Sequence, residues 1–338
     1  MDKQLIFAVA GAGKTTFLIK QLDIKKRILI LTYTEANYQN LRNRILEKFG
    51  KIPTNITLFT YFSFLYSFCF RPFFALKIKP SRLTFEDPPF VAVGNKRFFS
   101  KSREVYASQL ANFLMNNGLA DLKNRIEKHF NCLFIDEVED FSGYDFDFIL
   151  GVSKFNIAVK FVGDFYQYTY DTSRAGNKNK NIHNDYSTYK SKFRNFSIDE
   201  SSLNKSYRCP LEVCNFITTM LGIKMDSYKP PSSLKIDLIE DKSEIERIMN
   251  DDSVKKLFYK EHDKYSCKNH DNWANCKGLG FENVCIILNK TAFLEYKKNS
   301  FSALKPLTRN KLYVACSRVE KSLCFIEEKQ IKHLKVKK

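Results

Sequence analysis

No stretch of this 338-residue chain is apolar over the ~18 residues that a membrane-crossing helix needs, so no spanning segment and no membrane partner are expected. Glycine and proline are scarce, at 12 and 9 residues, which excludes collagen-like and low-complexity polymers. The nine cysteines, an odd number, include no Cys-x-x-Cys pair. Neither a disulfide framework nor a structural zinc site is therefore expected, and a reducing, cytoplasmic compartment is. Cys267, His270, Cys276 and Cys285 come close together, but their spacing fits no common zinc pattern. There is no internal repeat. The start superficially resembles a secretory leader, with Lys3 ahead of Leu5 to Ala10, yet the apolar run is short and leads straight into Gly13-Lys14-Thr15-Thr16. It reads as a buried first strand.

What is present is an ample apolar stock, 44% hydrophobic and 14% aromatic, enough for about two domains by the usual prior of roughly 100–200 residues each. Lys and Arg outnumber Asp and Glu by 55 to 37, a net charge of +18. Such an excess repels itself unless it meets a polyanion, and nucleic acid is the first expectation. A merely Lys- and Asn-rich composition produces the same balance, so charge alone decides nothing.

Gln4 to Ala10 reads as a strand, Gly11 to Lys14 as a tight turn and Thr15 to Leu22 as a helix. Arg27 to Leu31 is a second strand, and a helix from about Asn37 to Phe49 follows, with Leu41, Ile45 and Phe49 spaced by four. Alternating strands and helices imply a parallel sheet. Residues 65–130 change character: Phe-rich near Phe68 to Phe74, punctuated at Pro72, Pro80, Pro88 and Pro89, then helical from about Ser102 to His129. Bare strands resume at Cys132 to Asp136 and Ala158 to Gly163, each ending at carboxylates. Residues 171–200 read as a polar, flexible loop. A helix over Leu211 to Leu221, a strand over Val284 to Leu288, a helix over Asn310 to Cys316 and a strand over Ser322 to Glu327 form a second α/β unit.

Ala8-Val-Ala-Gly-Ala-Gly-Lys-Thr-Thr16 is the strongest motif. In a strand–loop–helix setting, the backbone N–H groups of Ala10, Gly11, Ala12, Gly13 and Thr16 can cradle phosphate oxygens. Lys14 can reach the β- and γ-phosphates, and Thr15 can ligate Mg²⁺. Ala8 stands where the general pattern has Gly. Asp136 and Glu137 follow a buried strand: in a nucleotide site the first would bind Mg²⁺ and the second would activate the attacking water. Val162-Gly-Asp-Phe-Tyr-Gln167 ends the next strand and offers Gln167 as a γ-phosphate sensor.

In this order the motifs resemble a superfamily 1 helicase, of the UvrD/Rep/PcrA type in a compact form. Thr32 to Asn37 with Leu41 to Ile45 looks like motif Ia, and Phe59 to Phe64 like the adjoining strand-binding motif. Asp136 to Asp140 is similar to motif II, Val162 to Tyr170 to motif III, Leu203 to Arg208 to motif IV, Lys277 to Phe281 to motif V and Leu312 to Arg318 to motif VI. The resemblance implies an α/β fold of two RecA-like P-loop NTPase domains with parallel sheets and a small helical insertion, with ATP and Mg²⁺ at the domain interface. It assigns 1–64 and 131–190 to the first domain, 65–130 to a helical insertion, 191–225 and 271–338 to the second domain, and 226–270 to a reduced second insertion.

By the same resemblance Arg208 and Arg318 would neutralise the γ-phosphate, Tyr207 would lie against adenine and Gly278 would contact the nucleotide. Thr34, Tyr61, Ser63 and Tyr170 would touch single-stranded DNA, RNA not being excluded. Aromatic faces stack bases at about 1–3 kcal/mol each, whereas Phe64 reads as core. The chain departs from the family pattern at several points. Only Met1 to Ala8 precede the loop here, so no upstream adenine-reading Gln is expected unless Gln4 serves, and Gln4 reads as part of a strand. Glu139 stands for Gln in motif II, Gly280 for an acid in motif V with Glu282 nearby, Ala274 for His and Thr172 for Trp. The expected activity is ATP-dependent single-stranded DNA translocation or unwinding, three-prime to five-prime. The alternative is an ATP-gated nucleic-acid-binding subunit of a repair, recombination or phage-defence complex, a protein partner completing the short insertions.

Overall fold

A computed structural model of the chain describes residues 2–89, 94–170, 178–179 and 181–336. It divides into two compact units. The first comprises Met1–Ile6, Lys14–Gly163 and Asp171–Asp199, the second Phe7–Gly13, Asp164–Tyr170 and Glu200–Lys338.

The first unit is built on six strands: β1 (Lys3–Phe7), β2 (Ile28–Thr32), β3 (Ile56–Thr60), β4 (Cys132–Asp136), β5 (Ala158–Gly163) and β6 (Ser197–Asp199). Their order is β3-β2-β4-β5-β1-β6. Parallel pairing joins β2 to β3 and β4, β4 to β5, and β1 to β6. β2 and β4 are buried at every position, the burial expected of strands covered on both faces. Helix α1 (Lys14–Lys20) opens directly from the glycine-bearing turn, and α2 (Glu35–Phe49) buries Leu41 and Ile45 one turn apart. The Thr34 side chain caps α2 by accepting the Asn37 N–H, and Gly50 closes it at φ 70°.

Between β3 and β4 the Phe-rich run forms a π-helix (Phe64–Phe70), then α3 (Arg71–Ile78), α4 (Ala107–Asn117) and α5 (Leu119–His129). Phe70, Phe74 and Phe113 form an aromatic cluster with ring centroids 5.0–5.7 Å apart. The helix expected over Ser102 to His129 is two helices that meet at Gly118, where a Cβ would sit 3.1 Å from the Phe74 ring. Helix α6 (Gly143–Val152) completes the unit.

The second unit carries a five-stranded sheet made of β7 (Asp237–Ile239), β8 (Val254–Phe258), β9 (His270–Asn272), β10 (Phe281–Leu288) and β11 (Val319–Glu327), in the order β7-β11-β10-β8-β9 and parallel throughout. Helices α7 (Leu211–Leu221), α8 (Lys242–Asn250), α9 (Lys290–Lys297) and α10 (Pro306–Cys316) accompany it. Alternate residues of β10 enter separate cores. Val284, Ile286 and Leu288 pack with Ile217, Val314 and Phe325, while Cys285 and Ile287 pack with Ile245, Ile248 and Ile331. The buried Trp273 indole donates to the Leu257 carbonyl at 2.9 Å.

The α/β architecture with parallel sheets is that of a RecA-like helicase fold. Two boundaries need correcting. Residues 226–270 are not a reduced insertion: β7 pairs with Cys324–Ile326 and β8 with Asn283–Ile286, so the stretch supplies strands to the second sheet. Charge hides this, because β8 carries Lys255 and Lys256, and the buried Lys256 ammonium is satisfied by the carbonyls of Asp251 and Lys268. The first sheet does not end by residue 190 either, since Ser197–Asp199 pairs with Gln4–Ile6. Of the polar loop expected over 171–200, residues 171–177 and 180, with Thr172, lie outside the described residues, while Tyr186–Ser191 is helical.

Candidate nucleotide-binding site

In the first unit the helix that starts at Lys14 and the strand that ends at Asp136 bring four expected residues together. The Thr15 hydroxyl donates to Asp136 Oδ2 at 2.9 Å, and Lys14 Nζ lies 3.4 Å from Glu137 Oε2. Lys14 and Asp136 are buried at 8% and 1% exposure, so little water competes for these charges. Burial, then the neighbouring Glu137, raises the Asp136 carboxyl to about 7, against the opposing pull of Lys14 and of the Thr15 hydrogen bond. Thr15 and Asp136 are hard oxygen donors on adjacent atoms, which suits Mg²⁺, an ion that takes one or two protein oxygens and completes its shell with water and phosphate. No cluster of three or more His, Cys, Asp or Glu side chains able to hold a metal occurs among the described residues.

Close packing explains the small residues here. A Cβ at Gly163 would stand 2.5 Å from Glu139 Oε2, and Glu139, in place of the family's Gln, is fully buried. Glu137 takes a left-handed φ of 56°, and its N–H donates to Asp136 Oδ1 at 3.1 Å. Thr16 is exposed, and its hydroxyl accepts from Arg44 at 2.7 Å. Arg44 falls in the stretch resembling motif Ia, but no role was expected of it.

In the second unit the loop peptide Phe7–Gly13 lies against the segment resembling motif IV. Gly11 and Gly13 have φ of 74° and 83°, a region that favours glycine. A Cβ on Gly11 would meet Ser206 Oγ at 2.5 Å and Arg208 Cβ at 2.9 Å. The Tyr207 N–H donates to the Gly11 carbonyl at 3.0 Å, which sets an exposed tyrosine beside the loop. Its ring stacks on Tyr228 at 4.2 Å and 17°, a partner that local sequence gave no sign of.

Arg208 donates to the Ser317 carbonyl at 3.3 Å, and burial followed by the charge of Arg318 lowers its pKa. Arg318 is 1% exposed and makes four hydrogen bonds: Nε donates to Val314 O, NH1 to Leu279 O, and NH2 to Gln167 Oε1 and Ser317 Oγ at 3.3 and 3.1 Å. Gln167 in turn donates to Asp164 Oδ2 at 2.8 Å. At Gly280, where an acid was the expected alternative, a Cβ would meet the Glu320 carboxylate, the movable end of a side chain, and stand 3.4 Å from Arg208 Nε. Glu282, its possible substitute in sequence, instead pairs with Lys321 at 2.8 Å on the surface. Gly278 is exposed with φ 87°.

Of the residues expected to touch a strand, Thr34 and Ser63 are exposed, although Thr34 also caps α2 and Ser63 accepts the Thr60 hydroxyl at 2.8 Å. Tyr170 is 49% exposed and donates to Asn275 at 2.5 Å. Tyr61 does not fit its expected role. It is 0% exposed, its ring stacks on Tyr33 and meets Phe141 edge-on, and its hydroxyl donates to Asp145 at 3.1 Å. The side chain is core.

Residues 104–327 match the family model of the viral superfamily 1 RNA helicase core domain, and the chain belongs to that family. Among solved structures it is similar to the arterivirus nonstructural protein 10 helicase in complex with DNA, at 16% identity and a TM-score of 0.52 over 98% of this chain and 63% of that one. The same helicase in a second crystal structure gives 16% and 0.52, with 62% of its length covered. These likenesses speak for the fold, and the chain spans less than two thirds of those helicases. No curated protein matches by sequence. No helix among the described residues is long and apolar enough to cross a membrane.

Proposed function

We propose that this chain is the motor core of a superfamily 1 helicase, an NTP hydrolase stimulated by single-stranded nucleic acid. The observation that carries the reading lies within the first unit, where Thr15 and Lys14, which follow the glycine-bearing turn, meet Asp136 and Glu137. The loop amides of Gly11, Gly13 and Thr16 hold phosphate oxygens and Lys14 adds its charge there, while the expected Ala10 and Ala12 N–H groups are already taken by the Tyr313 hydroxyl and the Val9 carbonyl. Thr15 and Asp136 would hold Mg²⁺, which supplies further positive charge to the phosphate oxygens when bound. Glu137 orients the attacking water and accepts its proton, while Gln167, Arg208 and Arg318 stabilise charge on the transferring phosphoryl group. The base lies on Tyr207, with Gly278 beside the nucleotide, and Thr34, Ser63 and Tyr170 contact the strand.

The finer expectation, single-stranded DNA moved three-prime to five-prime by a UvrD-like motor using ATP, rests on the order of the motifs. The family model is drawn from RNA helicases, so RNA is the competing strand. One observation favours a second reading, an NTP-gated binding subunit without autonomous unwinding: residues 226–270 build the sheet instead of forming an accessory insertion. Strand displacement on DNA and RNA duplexes with a tail at either end tests all of this. ATP-driven displacement that Lys14→Ala abolishes supports the motor. Turnover without displacement supports the subunit, and absence of both overturns the proposal.

A further inference from the structure

Within the second unit a continuous chain of buried hydrogen bonds leads from the phosphate loop to Arg318. The Ala10 N–H donates to the Tyr313 hydroxyl at 2.8 Å, and that hydroxyl donates to Asp164 Oδ2 at 2.8 Å. The same oxygen accepts from Gln167 Nε2 at 2.8 Å, and Gln167 Oε1 accepts from Arg318 at 3.3 Å. Ala10, Asp164, Gln167, Tyr313 and Arg318 are all at most 3% exposed, so no link can be exchanged for bulk water without cost. The Tyr313 O–H both accepts and donates, and it joins the loop backbone to side chains. Burial and the adjacent Asp164 hold the Tyr313 hydroxyl protonated far above its usual range, so it remains a donor at any working pH. The same helix adds a parallel tie, Asn310 donating to the Tyr168 carbonyl at 3.1 Å.

We propose that Tyr313 is a positioning residue for hydrolysis: its hydroxyl locks Asp164 and Gln167 in register with the phosphate loop and thereby sets where the Arg318 guanidinium stands. Gln167 carries one amide, which donates to Asp164 and accepts from Arg318. Any shift of the loop at Ala10 is therefore passed through Tyr313 to the arginine. The proposal rests on the reading of the loop as a nucleotide site and adds a residue which that reading leaves without a role.

Tyr313→Phe keeps the ring and its packing and deletes the hydroxyl. The expected result is a kcat lowered about tenfold or more, with KM for the nucleotide within twofold of wild type and cooperative thermal unfolding retained. A purely structural role would not split kcat from KM in this way. Tyr313→Phe combined with Gln167→Ala should be no worse than the poorer single variant, because both act through one chain. If Tyr313→Phe does not fold, Asp164→Asn is read by the same split. Full activity in a folded Tyr313→Phe, a KM rise that accounts for its loss, or additive losses in the double variant overturns the inference while leaving the nucleotide reading intact. A wild-type chain without hydrolysis overturns both.

Discussion

Asp145 is a carboxyl group beneath two tyrosines, accepting from Tyr61 at 3.1 Å and Tyr33 at 3.3 Å, and burial raises it from 3.8 to about 7 despite those bonds. A carboxyl whose folded pKa exceeds its unfolded one costs stability as pH rises through the window between the two values. The native chain should therefore lose stability between about pH 4 and pH 7, by at most about 4 kcal/mol from this group. Asp145→Asn should flatten that part of the stability profile measured by denaturant unfolding, and an unchanged slope would contradict the assignment. Tyr61→Phe leaves Asp145 with one donor fewer, which should cost about 1–3 kcal/mol of stability. It should change affinity for single strands less than twofold in a fluorescence-anisotropy titration, since the ring is buried. Which residues come together was legible where chemistry and loop geometry coincide, as for Lys14, Thr15, Asp136 and Glu137. The burial of Tyr61 was not legible, because a short motif does not say which way a side chain turns after a strand. Nor was the Tyr313–Asp164 bond, which joins residues 149 apart in sequence.

At the scale of elements, the more apolar strands announced themselves: β2 and β4 stand close to where their hydrophobic runs placed them, as do β5, despite its Lys160, and the apolar end of β10. The short strands β7 and β9 and the lysine-bearing β8 did not. Three-residue strands rich in Asp, Asn and His carry no periodicity to read, and they owe their conformation to the neighbours they pair with. Because β8 lies between β10 and β9 and buries Leu257 and Phe258, excision of residues 232–269 should abolish the cooperative unfolding of the second unit. The sole tryptophan, Trp273, reports this by fluorescence. A dispensable insertion would leave the transition temperature within a degree or two, and that outcome would contradict the assignment of this stretch to the sheet.

For the whole molecule, the net charge of +18 suits a protein that handles polyanions, but its distribution matters more than its sum. Some lysines sit in exposed pairs, such as Lys178 with Asp147 at 3.2 Å and Lys297 with Glu240 at 2.9 Å, which leave the net charge unchanged and contribute little at physiological salt. The strand-binding contribution should appear as a fall of affinity with salt, in proportion to the phosphates contacted. The central claim is that a nucleotide held on the 8–16 loop is hydrolysed in response to a nucleic-acid strand. It is tested most directly by the steady-state rate of ATP hydrolysis, with and without single-stranded DNA or RNA, for the wild type and Lys14→Ala. The account predicts a basal rate that rises severalfold on adding the strand and falls to background in the variant. Hydrolysis indifferent to the strand, or undiminished by Lys14→Ala, would contradict it.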